Sequence, residues 1–346
     1  MTTLRGETRA RVVARWAAPC VFVALAVVTN FSCKPERTPE HAERARMPVA
    51  LGIGMAPLAA LAIIADAEGC FAREGAAVSV RRYASGKLAL DAMLAGEVLA
   101  ATAAVTPVVF SSFKRRDFSL VASIGSSNND TRIVARKDRG ITRAADLRGK
   151  RVATQEASAV HFFLHMFLLK QGMTEKDVTI HNLTPADFPQ ALARGDVDAC
   201  SLREPLISQA LALLGDNAVV FEQPELHVEY HNLLLCNPFL EKRPETVRRL
   251  LRAFLAAETF ARRHPQRAKT TVARALAISE PALNRFWPWL DLRVRLSQSL
   301  LLAMEDQARW AMSRQEAEGA AMPNYLQFVR LDAMLSVKPS AVSIIR

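Results

Sequence analysis

The stretch Ile141–Pro205 admits few folds, because short apolar runs alternate with helix-length segments punctuated by glycine. Arg148-Gly149-Lys150 closes a short helix and launches an apolar strand, Arg151 to Thr154. After Gln155-Glu156-Ala157, Ser158 stands at an N-cap position before a long apolar helix to Lys170. Gly172 ends that helix by tolerating the left-handed conformation. A strand over Val178–His181, a helix over Pro185–Arg194 stopped by Gly195, and a strand over Val197–Ser201 follow. Strands and helices in this alternation predict crossover units and a mostly parallel sheet, hence an α/β fold. Ligands of such sheets sit beyond the carboxyl ends of the strands, often at helix N-termini, and the Gln155–His161 turn is such a place.

The same alternation precedes it. Strands are predicted over Val49–Ile53, Val78–Arg82, Leu99–Thr102 and Phe118–Ile124, with helices starting near Pro57, at Ser85-Gly86 and at Thr106-Pro107. DAMLAGEVLAA (Asp91–Ala101) and QALARGDVDAC (Gln190–Cys200) share one design of helix, glycine stop, acidic residue and strand, which suggests two similar lobes. The second is read as inserted in the first: lobe one over 48–133, lobe two over 134–228, and a return to lobe one over 229–346. Thr131–Arg136 is the outward crossing and Glu229–Cys236 the return strand. Helices over Pro244–Arg263, Pro265–Ala277, Pro281–Phe286 and Ser297–Arg314 form a C-terminal extension of lobe one.

The 346 residues carry a formal charge of +11, but Arg and Lys are scattered among acids. A nucleic-acid binder would gather them with interleaved aromatics, so no nucleic-acid partner is expected, while attraction for small anions remains. Arg5, Arg9, Arg11 and Arg15 precede an apolar run, Trp16–Val28, that is too short for a confident span and suits a signal peptide over 1–33. Ser32-Cys33 resembles a bacterial lipoprotein cleavage site, with Asn30 where Leu is usual, and marks Cys33 for lipidation. Ordinary cleavage nearby and an uncleaved anchor are the alternatives. The polar, Pro-bearing stretch 34–47 reads as a linker. Cys70, Cys200 and Cys236 are isolated, which leaves free thiols or one disulfide, and no Cys/His cluster calls for a metal or other cofactor.

Five pieces of sequence, in order and spacing, resemble the substrate-binding proteins of bacterial ABC transporters for sulfonates, taurine, nitrate and thiamine precursors. Ala67–Gly75 is similar to A-x-x-x-G-Y-F-A-x-E-G-L with Cys70 at the usual Tyr; Ser85-Gly86 through Val98 is similar to S-G…A-L…G-E-V-D with Leu99 at the usual Asp. Asp146–Ala153 matches D-L-K-G-K-x-V-A, and Ala157–His161 stands where sulfonate binders often have G-S-x-x-H, with Ala157 at the Gly. Leu183–Asp187, Gly195–Ala199 and Glu204-Pro205 follow on register. The resemblance implies a two-lobed type II periplasmic-binding-protein fold. It further implies capture of a small anionic solute in the interlobe cleft and delivery to a permease and ATPase in the inner membrane. The chain would be an exported monomer in the periplasm or on the outer face of that membrane, and not an enzyme. An enzyme on the same fold, making a pyrimidine precursor or dehydrating a small acid, and a ligand-sensing module are the alternatives.

The candidate ligand residues follow from both readings. Ser158 and Ala159 offer a helix N-terminus, whose unpaired amides and dipole attract an anion. His161 would donate to the same anion or bond within its own helix end, and with His165 it has one-face helical spacing. Met55, Pro57, Ser85, Gly86, Thr102 and Thr106 follow strands of lobe one, with Ser85 and Thr106 read as caps. His231 lies on the return strand. Arg203 stands where relatives often have an aromatic residue and would grip an oxyanion with its planar fork, while Glu204 would orient that fork or accept from an amino group on the ligand; a surface salt bridge is the bland alternative.

Overall fold

A computed structural model describes residues 48–345 apart from Glu225, Gln315, Glu316 and Glu318. The signal peptide, the linker and Cys33 lie outside the described residues. Lobe one opens with β1 (Val49–Gly54), α1 (Ala60–Ala67), β2 (Val78–Tyr83), α2 (Gly86–Leu94) and β3 (Ala100–Ala104). α3 (Val105–Ser112) and β4 (Phe118–Ser127) complete its first pass. The β1–β2 and β1–β3 pairs are parallel, as crossover units require.

The chain passes to a second sheet through 128–130, and β5 (Thr131–Arg136) lies wholly within that sheet. The crossing therefore precedes Thr131, against the sequence reading that placed it at Thr131–Arg136. The error has a physical source: β5 is a short strand buried continuously from Thr131 to Ala135, a depth of burial that its local sequence does not announce. Lobe two continues with β6 (Arg151–Thr154), α4 (Ala159–Lys170), β7 (Thr179–Asn182), α5 (Phe188–Arg194) and β8 (Ala199–Arg203). α6 (Leu206–Leu214) and β9 (Ala218–Phe221) end it. The return runs over 222–228 into β10 (Glu229–Cys236).

The sheet orders are β11-β4-β10-β3-β1-β2 and β7-β6-β8-β5-β9, β11 being Leu290–Asp291. Each sheet is mixed rather than mostly parallel. Strands made by crossover helices pair in parallel, whereas β10, entering from the other lobe, runs antiparallel to both β3 and β4. β5 runs antiparallel to β8 and β9 for the same reason. α7 (Pro244–Arg263), α8 (Pro265–Leu276), α9 (Glu280–Phe286) and α10 (Gln298–Met312) then pack on lobe one, while Phe286 at the end of α9 is buried in the lobe-two core with Phe188 and Leu202. α7 buries Val247, Leu250, Leu251, Phe254 and Ala257 at helical spacing, and Phe254 meets Phe71 edge-on at 5.7 Å. Cys70, Cys200 and Cys236 are free thiols.

Two backbone positions set the cleft's shape. A Cβ on Gly54 would lie 2.2 Å from the Gly86 nitrogen, and one on Gly86 would lie 3.0 Å from the Ala103 Cα. The ends of β1, β3 and α2 therefore close together only with glycine at both positions. Gly54→Ala should destabilise the protein by at least about 2 kcal/mol, within the usual cost of overpacking. Chemical denaturation measures it, and a change below about 0.5 kcal/mol would mean that this contact is looser than described.

Candidate ligand-binding cleft

A cavity of about 60 Å³ lies between the lobes, beyond the carboxyl ends of β1, β3, β6 and β8. The space suits a small solute rather than a bulky one. Its lobe-one wall includes Met55, Ser85 and Gly86; its lobe-two wall includes Ser158, Ala159, Arg203 and Glu204; His231 of β10 also faces it.

Two helix N-termini reach this space. Ser85 caps α2, its hydroxyl accepting from the Leu88 amide at 3.3 Å. Ser158 occupies the N-cap position of α4 in extended conformation, but its hydroxyl donates to the Gln155 carbonyl at 2.5 Å instead of capping. Ser158 therefore leaves the first amides of α4, whose residues Ala159 and Val160 line the cavity, to other acceptors. The turn before it holds Ala157 at φ 53°, a left-handed conformation that suits the glycine found there in many relatives.

Arg203 sits at the junction of the lobes. Its Nε lies 2.9 Å from Asp130 Oδ2 and 3.1 Å from Thr131 Oγ1, and its Nη2 lies 3.5 Å from Glu229 Oε2. Asp130 belongs to the outward crossing and Glu229 opens the return strand, so one guanidinium ties β8 to both connections. Burial alone would raise the Glu229 carboxyl, but His227 and Arg203 outweigh it and hold it below its ordinary value. Burial dominates at Asp130 and raises its carboxyl. The Arg203 Nη2 makes no hydrogen bond although it is buried. Glu204, read from sequence as the group that orients this fork, instead accepts from the Ser208 amide at 3.0 Å and hydroxyl at 2.9 Å, satisfying the first turn of α6.

His231 is 2% exposed, and neither ring nitrogen has a hydrogen-bond partner. Burial, then the nearby charge of Arg203, push its pKa down to about 3, so the ring is neutral and offers one N–H and one lone pair.

Four of the sequence candidates do not line the cavity. Pro57 is buried in a single 3-10 turn before α1. Thr102 is buried within β3. Thr106 lies inside α3 rather than at its cap and donates to Gln307 Oε1 at 2.6 Å. His161 points away from the cleft, meeting Trp310 edge-on at 5.2 Å with its Nε2 3.4 Å from Glu175 Oε2. There it joins a bridge between the lobes: Glu175 also meets His165 at 3.3 Å and Arg314, which follows α10, at 2.6 Å. Burial raises the Glu175 carboxyl, but hydrogen bonds from His161 and His165 and the charge of Arg314 overcome this and hold it well below the usual range.

Sequence reasoning missed Asp130 and Glu229. Both carried a signal, since an acidic residue opening an otherwise apolar strand must find a cation when buried. His231 gives the test of this electrostatic picture. Its folded pKa, about 3, lies below the unfolded value near 6.5, so its neutral state stabilises fully above pH 6.5. That contribution is lost as pH falls from 6.5 towards 3. His231→Gln should flatten the stability-versus-pH curve over this window, and an unchanged slope would contradict the buried neutral ring.

The sequence profile of the NMT1/THI5-like family matches residues 57–268. The taurine-binding periplasmic protein of Escherichia coli (strain K12) is 27% identical over 204 residues, 56% of this chain and 61% of that protein. The chain spans less than two thirds of the length of the curated relatives it matches first. Among solved structures, the alkanesulfonate-binding protein of Xanthomonas axonopodis pv. citri bound to MOPS superposes with a TM-score of 0.72 at 21% identity, covering 82% of this chain and 99% of that one. A desulfurization enzyme also shares the fold, with a TM-score of 0.57 at 17% identity over 84% of this chain and 99% of its own. Both sheets, their mixed topology and the interlobe cleft are those of the periplasmic-binding-protein fold. The family profile covers well over half of the sequence, and the chain belongs to the NMT1/THI5-like family.

Proposed function

We propose that the protein is the extracytoplasmic solute-binding component of an ABC importer, capturing a small anion such as a short sulfonate between its lobes. The observation that carries this reading is what lines one cavity of about 60 Å³ between the lobes: two helix N-termini, the Arg203 side chain and the neutral ring of His231. Amides and dipole ends recognise oxyanions without titrating. The cavity's size favours a short solute or the head of a longer one. Taurine and alkanesulfonates, named for the relatives, meet that description. A permease and ATPase of the inner membrane are the partners this role requires.

Catalysis is the weaker reading. The hydroxyls of Ser85 and Ser158 in the cavity are engaged with backbone groups rather than with a base. Cys200 is buried, and burial pushes its thiol up, away from the nucleophilic thiolate. We further propose that Cys33 is acylated and holds the mature protein at the membrane. Intact mass after expression in a bacterial host tests this, and an unmodified N-terminus at another residue would overturn it.

Calorimetry with taurine, propanesulfonate and nitrate tests the binding reading. At least one should bind, and Arg203→Lys should weaken it by about 1.5–3 kcal/mol, because the charge survives but the fork does not. Lysine is the better probe than alanine, since alanine strands Glu229 without a cation at a cost of about 3–5 kcal/mol in stability. Unchanged affinity in folded Arg203→Lys would remove Arg203 from the site.

A further inference from the structure

α9 reaches across the boundary between the lobes. Its first turn is fastened to α8, because Glu280 accepts from the Gln266 side-chain amide at 2.9 Å and from the Thr270 hydroxyl at 2.6 Å. Ser279 caps the helix, accepting from the Ala282 amide at 3.2 Å. Leu283 is fully buried in the lobe-one core. Three residues on, and so on the same side of the helix, Phe286 is 3% exposed in the core of lobe two. The chain then returns, since β11 pairs antiparallel with β4 and sets Leu290 opposite Ser127. Ser127 ends β4, immediately before the 128–130 connection. One ring of the C-terminal extension is thus planted in lobe two while the chain on both sides of it is held by lobe one.

The ring meets the interlobe connections through one buried charge. The guanidinium of Arg132 lies 4.9 Å from the centre of the Phe286 ring, and Arg132 is 2% exposed. Its Nη1 donates to the Asn129 carbonyl at 2.8 Å and to the Thr131 carbonyl at 3.0 Å, and its Nε lies 2.9 Å from Glu222 Oε1. Asn129 belongs to the outward connection and Glu222 opens the return. A cation over an aromatic face is held most firmly where water is excluded, as it is here. We propose that Phe286 is a clasp: it pins Arg132, and with it both connections, to the C-terminal extension, and so restricts how far lobe two swings. Phe286 differs from an ordinary core ring in that its removal uncovers a cation whose other contacts run to both connections.

The connections are where backbone rotation must occur if the lobes open and close. Without the ring they lose a common anchor on lobe one, and the spread of lobe arrangements widens. A ligand that grips both lobes binds in proportion to the fraction of molecules already suitably arranged, so the wider spread lowers its affinity. Only this effect on affinity rests on the reading of the cleft as a ligand site; the clasp stands without it.

Amide hydrogen exchange of the full chain, with calorimetry beside it, tests the clasp. Phe286→Ala should speed exchange over residues 128–132 about tenfold more than exchange in β1 or β6. Arg132→Lys, which keeps the charge and loses the planar face, should act in the same direction. Leu250→Ala, which hollows the lobe-one core at α7, should show no such excess. If Phe286→Ala fails to fold, Phe286→Leu, which keeps an apolar side chain and removes the ring, decides by the same readout. No excess over 128–132 in a folded Phe286 variant, or the same excess in Leu250→Ala, would overturn the clasp. For the affinity, taurine, propanesulfonate and nitrate are the probes, and whichever binds the wild-type protein should bind Phe286→Ala at least threefold more weakly. An unchanged affinity would overturn the effect on the ligand while leaving the clasp, and no binding of any probe to the wild-type protein would count against the cleft reading alone.

Discussion

The guanidinium of Arg203 is the interaction on which the two lobes depend. It is anchored at the end of β8, and its partners, Asp130 and Glu229, flank the two places where the chain crosses between sheets. A buried ion cluster contributes little net stability, because desolvation offsets most of the attraction. What it gives is geometry: each crossing has a fixed distance from the same charge, and that charge borders the cleft cavity. On the far side of α4, Glu175 and Arg314 close a second contact between the lobes.

Much of this was legible in the sequence, for identifiable reasons. Crossover units announce themselves by period and by glycine stops: Gly172 and Gly195 adopt the left-handed conformations that their positions require. The turn at Ser158 and the position of Arg203 beside the cavity were readable because strand ends and helix starts are local features. Long-range placement was not. Nothing local distinguishes Thr131–Arg136 as a core strand of lobe two from a crossing, since three apolar residues between arginines fit either. His161 was assigned to the cleft by its nearness to Ser158, yet about 100° of helical turn per residue carries it round α4 onto Trp310. Glu204 was paired with Arg203 by adjacency, whereas neighbouring residues at a strand end point to opposite sides, and Glu204 serves α6 instead.

Ala157 shows how a departure from the family pattern is accommodated. Relatives often have glycine at this point, and the alanine here keeps the same left-handed turn at φ 53°. Such a residue costs about 1–2 kcal/mol against its preferred conformation, part of which glycine would lose again through unfolded-state entropy. The turn's shape is therefore imposed by its surroundings: the Glu156 amide donates to Asn182 Oδ1 at 3.0 Å and the Ser158 hydroxyl holds the Gln155 carbonyl. The geometry that exposes the α4 amides is retained at some expense in local stability. Strain of this kind persists where surrounding contacts over-determine the backbone, and here it borders the proposed ligand site.

The central claim is that a small anion is held between two lobes that close on it about the 128–130 and 222–228 connections. Small-angle scattering of the protein, with and without the tightest-binding anion at saturation, tests it most directly. The account predicts that the radius of gyration falls on binding. A ligand that binds tightly in calorimetry while the radius of gyration stays fixed would contradict closure about these connections.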